Sequence, residues 1–202
     1  MKTNKLISVI VLSAMLTAAC SKERELEKSV FIPDDTFPEL PAYSEWGYNT
    51  FGAFYDRLVF ISSDYQSPLR VSATADTTYF IFTGVINRPD IEVNKMTLIF
   101  AMDNFFPNDY RDLISLHNTW YDLLDPGIKV KIMESDISKN VSLIEGTLNF
   151  KRAQNLRVDE QQVETILSGT FDLKAIIDDE PISISEGRFD VGVGTYNFFD
   201  FK

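Results

Sequence analysis

Histidine chemistry in this chain depends on a single residue, His117. A Ser-His-Asp triad would have to use it, and Asp112 and Ser115 lie close to it in the sequence. Triads are assembled in space, so this proximity does not establish one. His117 also continues the stripe of Leu113 and Trp120, which favours a structural role for the ring.

Carboxylates are the second chemical resource, because the 202-residue chain contains 30 Asp and Glu residues. Paired carboxylates could hydrolyse a glycosidic bond, but close pairs arise without function in so acidic a chain. The oxygen-rich segment from Asp103 to Asp112 could hold Ca²⁺, although it lacks the spacing and glycine of an EF-hand loop. Helix capping and solubility also explain it. We therefore expect no catalytic residue, no metal site and no cofactor.

Aromatic side chains could stack on sugar rings. Trp46 and Tyr48 lie near the start of the folded region, and Trp120 and Tyr121 lie in a segment with helical periodicity. Packing in the core or at its rim is the alternative for all four. They are the side chains that we expect to contact a ligand.

Cys20 is the only cysteine of the chain. It follows a basic start and the uncharged segment 6–19, as in a secretory signal peptide. That apolar run is shorter than the roughly 20 residues of a membrane-spanning helix. The sequence Leu-Thr-Ala-Ala-Cys resembles a bacterial lipobox, which implies that residues 1–19 are a signal peptide and that Cys20 is lipidated. An ordinary signal peptide with an incidental cysteine is the alternative.

Lipidation of Cys20 would leave no thiol for a disulfide, a nucleophile or a metal. Ser21 rather than Asp follows the cysteine, and by resemblance to Gram-negative lipoproteins this favours the outer membrane. Residues 21–25 mix both charge signs, so the sequence does not decide between the periplasmic and the cell-surface side of the outer membrane.

Loss of Lys2 and Lys5 with the signal peptide leaves 17 basic against 30 acidic residues, a formal charge of −13. Such a surface repels nucleic acid, which we do not expect as a partner.

The elements that must position these residues are mostly strands. Residues 20–45 are predicted to be the lipidated cysteine and a flexible tether, because they are charged at first and then rich in proline. Residues 46–202 suit one β-rich domain. The predicted strands are 50–55, 58–61, 69–73, 78–87, 95–102, 128–133, 142–151, 164–177 and 182–193, with 196–201 pairing at an edge. We predict an all-β fold with one short helix, an antiparallel β-sandwich or barrel with a C-terminal meander.

A weak repeat supports the C-terminal strands. The pattern polar, Gly, polar, apolar, Asn or Asp, apolar begins at Glu145, Ser168 and Glu186. Because side chains alternate along a strand, Gly169 shares a face with Phe171. A glycine facing the core indicates a bend, a bulge or a large ring packed over bare backbone.

The third copy of the repeat contains a change of face. Ile184 and Phe189 are five residues apart, so a regular strand would place them on opposite faces. We therefore expect a bulge or a change of face near Ser185.

The segment from Asp109 to Leu124 breaks the strand pattern. Its apolar residues recur at helical spacing, Asn108 or Asp109 can cap its start, and Asp125-Pro126-Gly127 ends it. We predict a helix packed on the sheet or across one mouth of a barrel.

The Asn-Thr-Phe-Gly sequence at Asn49, the Gly-x-Phe-Asp strands and the lipobox together resemble uncharacterised β-rich outer-membrane lipoproteins of Bacteroidota. The resemblance implies a lipid-anchored envelope protein but carries over no functional residue. Thr77, in Asp76-Thr77-Thr78, matches the O-glycosylation pattern of that phylum.

We expect a non-catalytic binding or structural domain whose partner is another envelope protein or an extracellular glycan. A carboxylate- or His-dependent hydrolase of an extracellular polymer is the alternative.

Overall fold

The computed structural model describes residues 29–62, 67–86 and 94–201. The predicted signal peptide, Cys20 and the first part of the predicted tether lie outside these ranges. The strands are β1 Thr50–Tyr55, β2 Leu58–Ile61, β3 Leu69–Ala73, β4 Thr78–Ile86, β5 Asn94–Met102, β6 Thr119–Asp122, β7 Ile128–Glu134, β8 Ile137–Ser138, β9 Val141–Val158, β10 Gln161–Ile177, β11 Glu180–Val193 and β12 Phe198–Asp200. A 3₁₀ helix, Tyr110–Leu116, precedes β6.

The strands form one continuous sheet in the order β6-β9-β10-β11-β1-β2-β4-β5-β7-β8, with β3 between β4 and β12. All pairs are antiparallel except β3 with β12. β4 joins two layers, because Phe82 near its middle pairs with β3 while Ile86 at its end pairs with β2. We name β6-β9-β10-β11-β1-β2 the first sheet and β12-β3-β4-β5-β7-β8 the second sheet. The described sheet does not close on itself, so the fold is a sandwich rather than a barrel.

Phenylalanine rings fill the space between the two sheets. Phe51 of the first sheet stacks on Phe82 of the second, with ring centroids 5.0 Å apart. Phe171 of the first sheet meets Phe100 of the second at 5.6 Å. Full burial of such a side chain contributes about 1.5–3 kcal/mol, so this core can hold a fold that has no disulfide. The largest fully buried side chains include Phe51, Phe60, Phe80, Phe82, Phe100, Phe150, Phe171 and Phe189.

The predicted C-terminal meander is confirmed, since β9, β10 and β11 pair in sequence. Gly169 on β10 is buried and faces the core. A Cβ placed on it would lie 2.6 Å from Cζ of Phe189 and would also collide with the carbonyl oxygen of Asn149. The ring of Phe189 therefore packs directly over glycine backbone.

The expected irregularity in β11 is a bulge. Phe171 pairs with Gly187 and Leu173 pairs with Ile184, so two residues of β11 oppose one of β10. Glu186, in the bulge, has a φ of 55°. The extra residue brings Ile184 and Phe189 to the same core-facing side, and both are buried.

The predicted helix ends earlier than its sequence period suggests. Within residues 109–124, only Tyr110–Leu116 is helical, and Leu113 and Leu116 are buried as expected. The backbone turns at Asn118, whose φ is 56°, and enters β6. The apolar spacing that extends to Trp120 fits a helix, but Thr119–Asp122 form a strand because they pair with β9.

The predicted tether is also shorter than its composition suggests. Leu40 is fully buried, and Pro33 and Pro41 form an isolated β-bridge. Asp34 forms an ion pair of 2.7 Å with the buried Arg188 of β11. Prolines prevent regular structure but not packing, so residues 29–45 belong to the folded part.

Candidate functional site

A groove lies on the outer face of the first sheet, where β6, β9, β10 and β11 run side by side. Its volume is about 490 Å³. We name it the Trp120 groove. Its lining residues are Trp120, Asp122, Leu124, Glu145, Gly146, Thr147, Asp172, Leu173, Lys174, Ser183, Ile184 and Ser185.

Alternation along β6 places Trp120 and Asp122 in this groove. Both side chains are exposed, while the intervening Tyr121 is half-buried. Trp120 lies opposite Asn149 of β9 and is 60% exposed. An oxygen of Asp122 accepts a hydrogen bond of 2.9 Å from the backbone N–H of Leu124, which orients the carboxylate at the groove rim.

Two further carboxylates extend from β9 and β10. Glu145 pairs with Lys174 across the two strands at 2.8 Å. Asp172 accepts a hydrogen bond of 3.1 Å from the backbone N–H of Glu186 in the bulge. Loss of water around Asp172 raises its pKa, and the negative charge of Glu186 acts in the same direction. Asp172 therefore holds a proton more readily than an ordinary aspartate.

This combination of groups can bind a polar ligand with flat apolar faces. The indole of Trp120 offers an uncovered aromatic surface. Asp122 and Asp172 can accept hydrogen bonds, and the hydroxyl of Thr147 can donate or accept one. A few polar groups around an apolar platform are typical of a small-ligand site.

The other three predicted ligand contacts do not line this groove. Tyr121 points to the opposite face of β6, where its ring meets Phe150 with centroids 6.2 Å apart. It lines a separate cavity of about 200 Å³. Trp46 is 73% exposed and Tyr48 is half-buried, and the backbone N–H groups of both donate to Asp190 on β11. Of the four, only Trp120 lines the groove.

His117 is exposed at the end of the 3₁₀ helix. Its Nδ1 accepts a hydrogen bond of 3.2 Å from the backbone N–H of Ala153 in β9. The nearby Ser115 donates to the backbone oxygen of Asp112, and the Asp112 carboxylate accepts from the Asn108 backbone. These contacts do not form a catalytic triad, and they give the imidazole a structural role at the sheet edge.

The oxygen-rich segment makes separate contacts instead of converging. Asp103 pairs with Lys129 at 2.7 Å and accepts a hydrogen bond of 3.0 Å from the hydroxyl of Thr77. Both contacts lower the pKa of Asp103. Asp109 pairs with Arg111. Within the described ranges, no cluster of three or more acidic, His or Cys residues could hold a metal ion.

Nothing in the sequence distinguishes Asp122, Glu145 or Asp172 as site residues. Strand alternation around Gly169 places Asp172 on the face of β10 opposite the core. The missing information was that β6 is a strand, because only that assignment brings Trp120 beside the carboxylates.

Comparison with protein-family models, with curated proteins and with solved structures gave no significant match. Across residues 29–62, 67–86 and 94–201, no helix has the length and apolar character needed to cross a membrane.

Proposed function

We propose that this chain is an outer-membrane lipoprotein whose β-sandwich binds a glycan, without catalysis, through the Trp120 groove. The observation that carries the proposal is the exposed indole of Trp120 set among carboxylates and hydroxyls in a concave surface. Sugar rings present apolar C–H faces to an aromatic plane and hydroxyls to the surrounding acceptors.

The size of the groove supports a glycan over a protein partner. A stable protein interface buries about 800 Å² on each partner, generally over a broad surface. The Trp120 groove holds about 490 Å³, within the range of small-ligand pockets. Leu124 at the same rim is 53% exposed, so a bound sugar would cover apolar surface that water otherwise contacts.

The proposed lipid anchor at Cys20 would hold the domain close to the membrane. The described fold begins at Ser29, and the backbone N–H of Val30 donates to the oxygen of Tyr48 at 2.8 Å. About nine residues separate Cys20 from Ser29, and an extended chain of that length spans at most about 30 Å. This reach is much shorter than a tether continuing to residue 45 would allow.

The test uses residues 21–202 on an array of neutral glycans, followed by calorimetric titration with the retained oligosaccharides. We expect binding that Trp120→Ala abolishes. Trp46→Ala is the matched control, because it removes an exposed indole outside the groove, and it should leave binding unchanged. Equal binding by the Trp120→Ala variant would remove the groove from the proposal.

A carboxylate-dependent hydrolase is the second candidate, favoured by the raised pKa of Asp172 in the same groove as Asp122 and Glu145. A carboxyl that retains its proton can serve as a general acid, with a second carboxylate as base or nucleophile. Release of new reducing ends from a polysaccharide, abolished in Asp172→Asn, would replace the binding proposal with this one.

A further inference from the structure

The outer face of the second sheet is basic although the chain as a whole is acidic. Arg70 on β3, Lys95 on β5, and Lys129 and Lys131 on β7 are all exposed there. The formal net charge of the whole chain is −11. A cluster of positive charge on one face of such a protein creates a local field opposite to that of the rest of the surface.

Two of these four cations are neutralised by neighbours. Lys129 pairs with Asp103 at 2.7 Å, and Lys95 pairs with Asp136 at 3.2 Å. The other two, Arg70 and Lys131, have no ion pair with any residue in the described part of the chain.

Arg70 and Lys131 each lie over an aromatic ring instead. The guanidinium of Arg70 is 5.9 Å from the ring centroid of Phe199, and the ammonium of Lys131 is 5.7 Å from that of Tyr79. A ring face holds a cation in place without neutralising its charge. A stacked guanidinium also keeps its in-plane N–H donors available for an oxyanion.

The two cations stand at the ends of one row across four strands. Arg70 pairs with Ile81, Ile81 with Ile99, and Ile99 with Lys131. Three strand spacings separate the backbones of Arg70 and Lys131, a distance of about 14 Å.

A groove of about 500 Å³ occupies this face beside Arg70. We name it the Arg70 groove. Its floor includes Ile81 and Ile99, and the hydroxyl-bearing Thr83 and Thr97 lie directly opposite each other on β4 and β5. The site thus combines an available guanidinium, an apolar floor and two hydroxyls with the mutually paired Lys95 and Asp136, which also line it.

We propose that the Arg70 groove binds an acidic saccharide. Arg70 holds one carboxylate or sulfate group in the groove, and Lys131 holds another beyond its end. Thr83 and Thr97 bond the ring hydroxyls above the isoleucine floor. The distance between the two cations suits acidic groups carried on separate sugar units.

The position of the groove favours a saccharide over an extended peptide. A peptide that adds to a sheet needs the unpaired backbone groups of an edge strand. β4 and β5 are interior strands with partners on both sides, so their backbone groups are already used in the ladder. Recognition here rests on side chains alone, which suits a ligand rich in hydroxyl and acidic groups.

The charged side chains of the Trp120 groove are mainly acidic and those of the Arg70 groove mainly basic, so this inference does not depend on the Trp120 groove. Asp122, Glu145 and Asp172 would repel an acidic saccharide from the first sheet, where Lys174 is already paired with Glu145. A loss of binding in one groove therefore leaves the other unaffected.

The experiment titrates the lipid-free chain, residues 21–202, with short oligogalacturonates and with a neutral maltodextrin of matched length. We expect the uronate to bind in the Arg70 groove, weakened by added salt because the contacts are exposed. The maltodextrin should show no binding that depends on Arg70. Arg70→Ala and Lys131→Ala should each weaken it by about tenfold, which corresponds to about 1.4 kcal/mol.

Lys129→Ala is the matched control, since its ammonium is already paired with Asp103, and it should retain affinity within about twofold. Trp120→Ala should bind the uronate as the parent does. No uronate binding, or binding that survives both Arg70→Ala and Lys131→Ala, overturns the proposal. Binding of phosphatidylglycerol vesicles by this face without uronate binding also overturns it and makes the face a membrane-contact surface.

Discussion

The backbone N–H of Gly47 donates a hydrogen bond of 2.8 Å to the carboxylate of Asp190, which is only 2% exposed. Gly47 has a φ of 75°, a conformation that residues with a side chain rarely adopt. The same carboxylate accepts hydrogen bonds from the backbone N–H groups of Trp46 and Tyr48 and from the hydroxyls of Ser44 and Ser168. One buried acid thereby fixes the N-terminal segment to β11.

Replacing this acid should loosen the whole N-terminal segment. Asp190→Ala leaves several buried or half-buried donors without an acceptor, and each such loss costs about 1–3 kcal/mol. We expect the free energy of unfolding to fall by at least about 3 kcal/mol, measured by urea denaturation. Glu39→Ala, an exposed acid of the same segment, should change it by less than about 0.5 kcal/mol. Equal stability of the two variants would contradict the structural role of Asp190.

Gly169 should tolerate no larger side chain. In Gly169→Val the new atoms meet the Phe189 ring and the backbone of β9, so overpacking should cost about 1–3 kcal/mol or more. Thermal unfolding checks this against Thr170→Val, which changes the neighbouring residue on the other face of β10. A parental melting temperature for Gly169→Val would place residue 169 outside the core.

The two adjacent aromatics of β6 should respond differently to truncation. Tyr121 packs against Phe150, so Tyr121→Ala should lower the free energy of unfolding by about 2–4 kcal/mol. Trp120 is largely exposed, so Trp120→Ala should alter stability by less than about 1 kcal/mol while abolishing the binding of neutral glycans. Chemical denaturation and calorimetric titration of both variants separate the two effects. A strongly destabilised Trp120→Ala protein would indicate that the indole is structural.

Asp172 should make stability fall as the pH rises. Its pKa in the folded protein is raised above the ordinary value of 3.8, mainly by burial. The folded state therefore binds the proton more tightly than the unfolded chain, and ionisation of Asp172 opposes folding. Its favourable contribution is present below pH 3.8 and is lost as the pH rises through the folded pKa.

Asp172→Asn should consequently raise the melting temperature at pH 7, because the amide keeps an acceptor for the Glu186 N–H and carries no charge. The gain should vanish near pH 3. Asp34 gives the opposite control, since hydrogen bonds from the backbone of Phe37 and Thr36 lower its pKa. Asp34→Asn should therefore lower the melting temperature at pH 7. A decrease at pH 7 for both variants would refute the assigned effect of Asp172.

Lipidation at Cys20 is tested by metabolic labelling with a fatty acid. Label should enter the parent protein and disappear in Cys20→Ala, because acylation needs the thiol. After cell fractionation, the variant should be found outside the membrane pellet, since the acyl chains supply the anchor. Fatty-acid label that persists in Cys20→Ala would contradict lipidation at Cys20.

Strand positions could be predicted from the sequence because they depend on the local alternation of apolar and polar residues. The strands predicted at 50–55, 58–61 and 69–73 lie where the pattern places them. The end of the helix could not be predicted, because the position of Trp120 fits a helical period and a strand period equally well. Pairing with residues about 30 positions away, at Asn149, decides between them.

For the same reason, the candidate site could be predicted only in part. Trp120 was predicted to contact a ligand because of its residue type, but Tyr121 shares that type and points to the core side of β6. In a chain with 30 acids, the sequence does not indicate which carboxylates gather. The registers of β6, β9 and β10 bring Asp122, Glu145 and Asp172 into one groove.

The sequence by itself determined the class of fold, the core-facing glycine and the bulge, because each follows from the two-residue period of a strand. It also determined that no disulfide within the chain supports the fold, since Cys20 is the only cysteine. Tertiary structure alone decided that the proline-rich segment packs, through Asp34 with Arg188 and through Asp190. It likewise decided that acidic side chains gather in the Trp120 groove and basic ones beside the Arg70 groove. Both depend on contacts between residues more than a hundred positions apart or on strands that are not consecutive, and local sequence periodicity carries no record of such contacts.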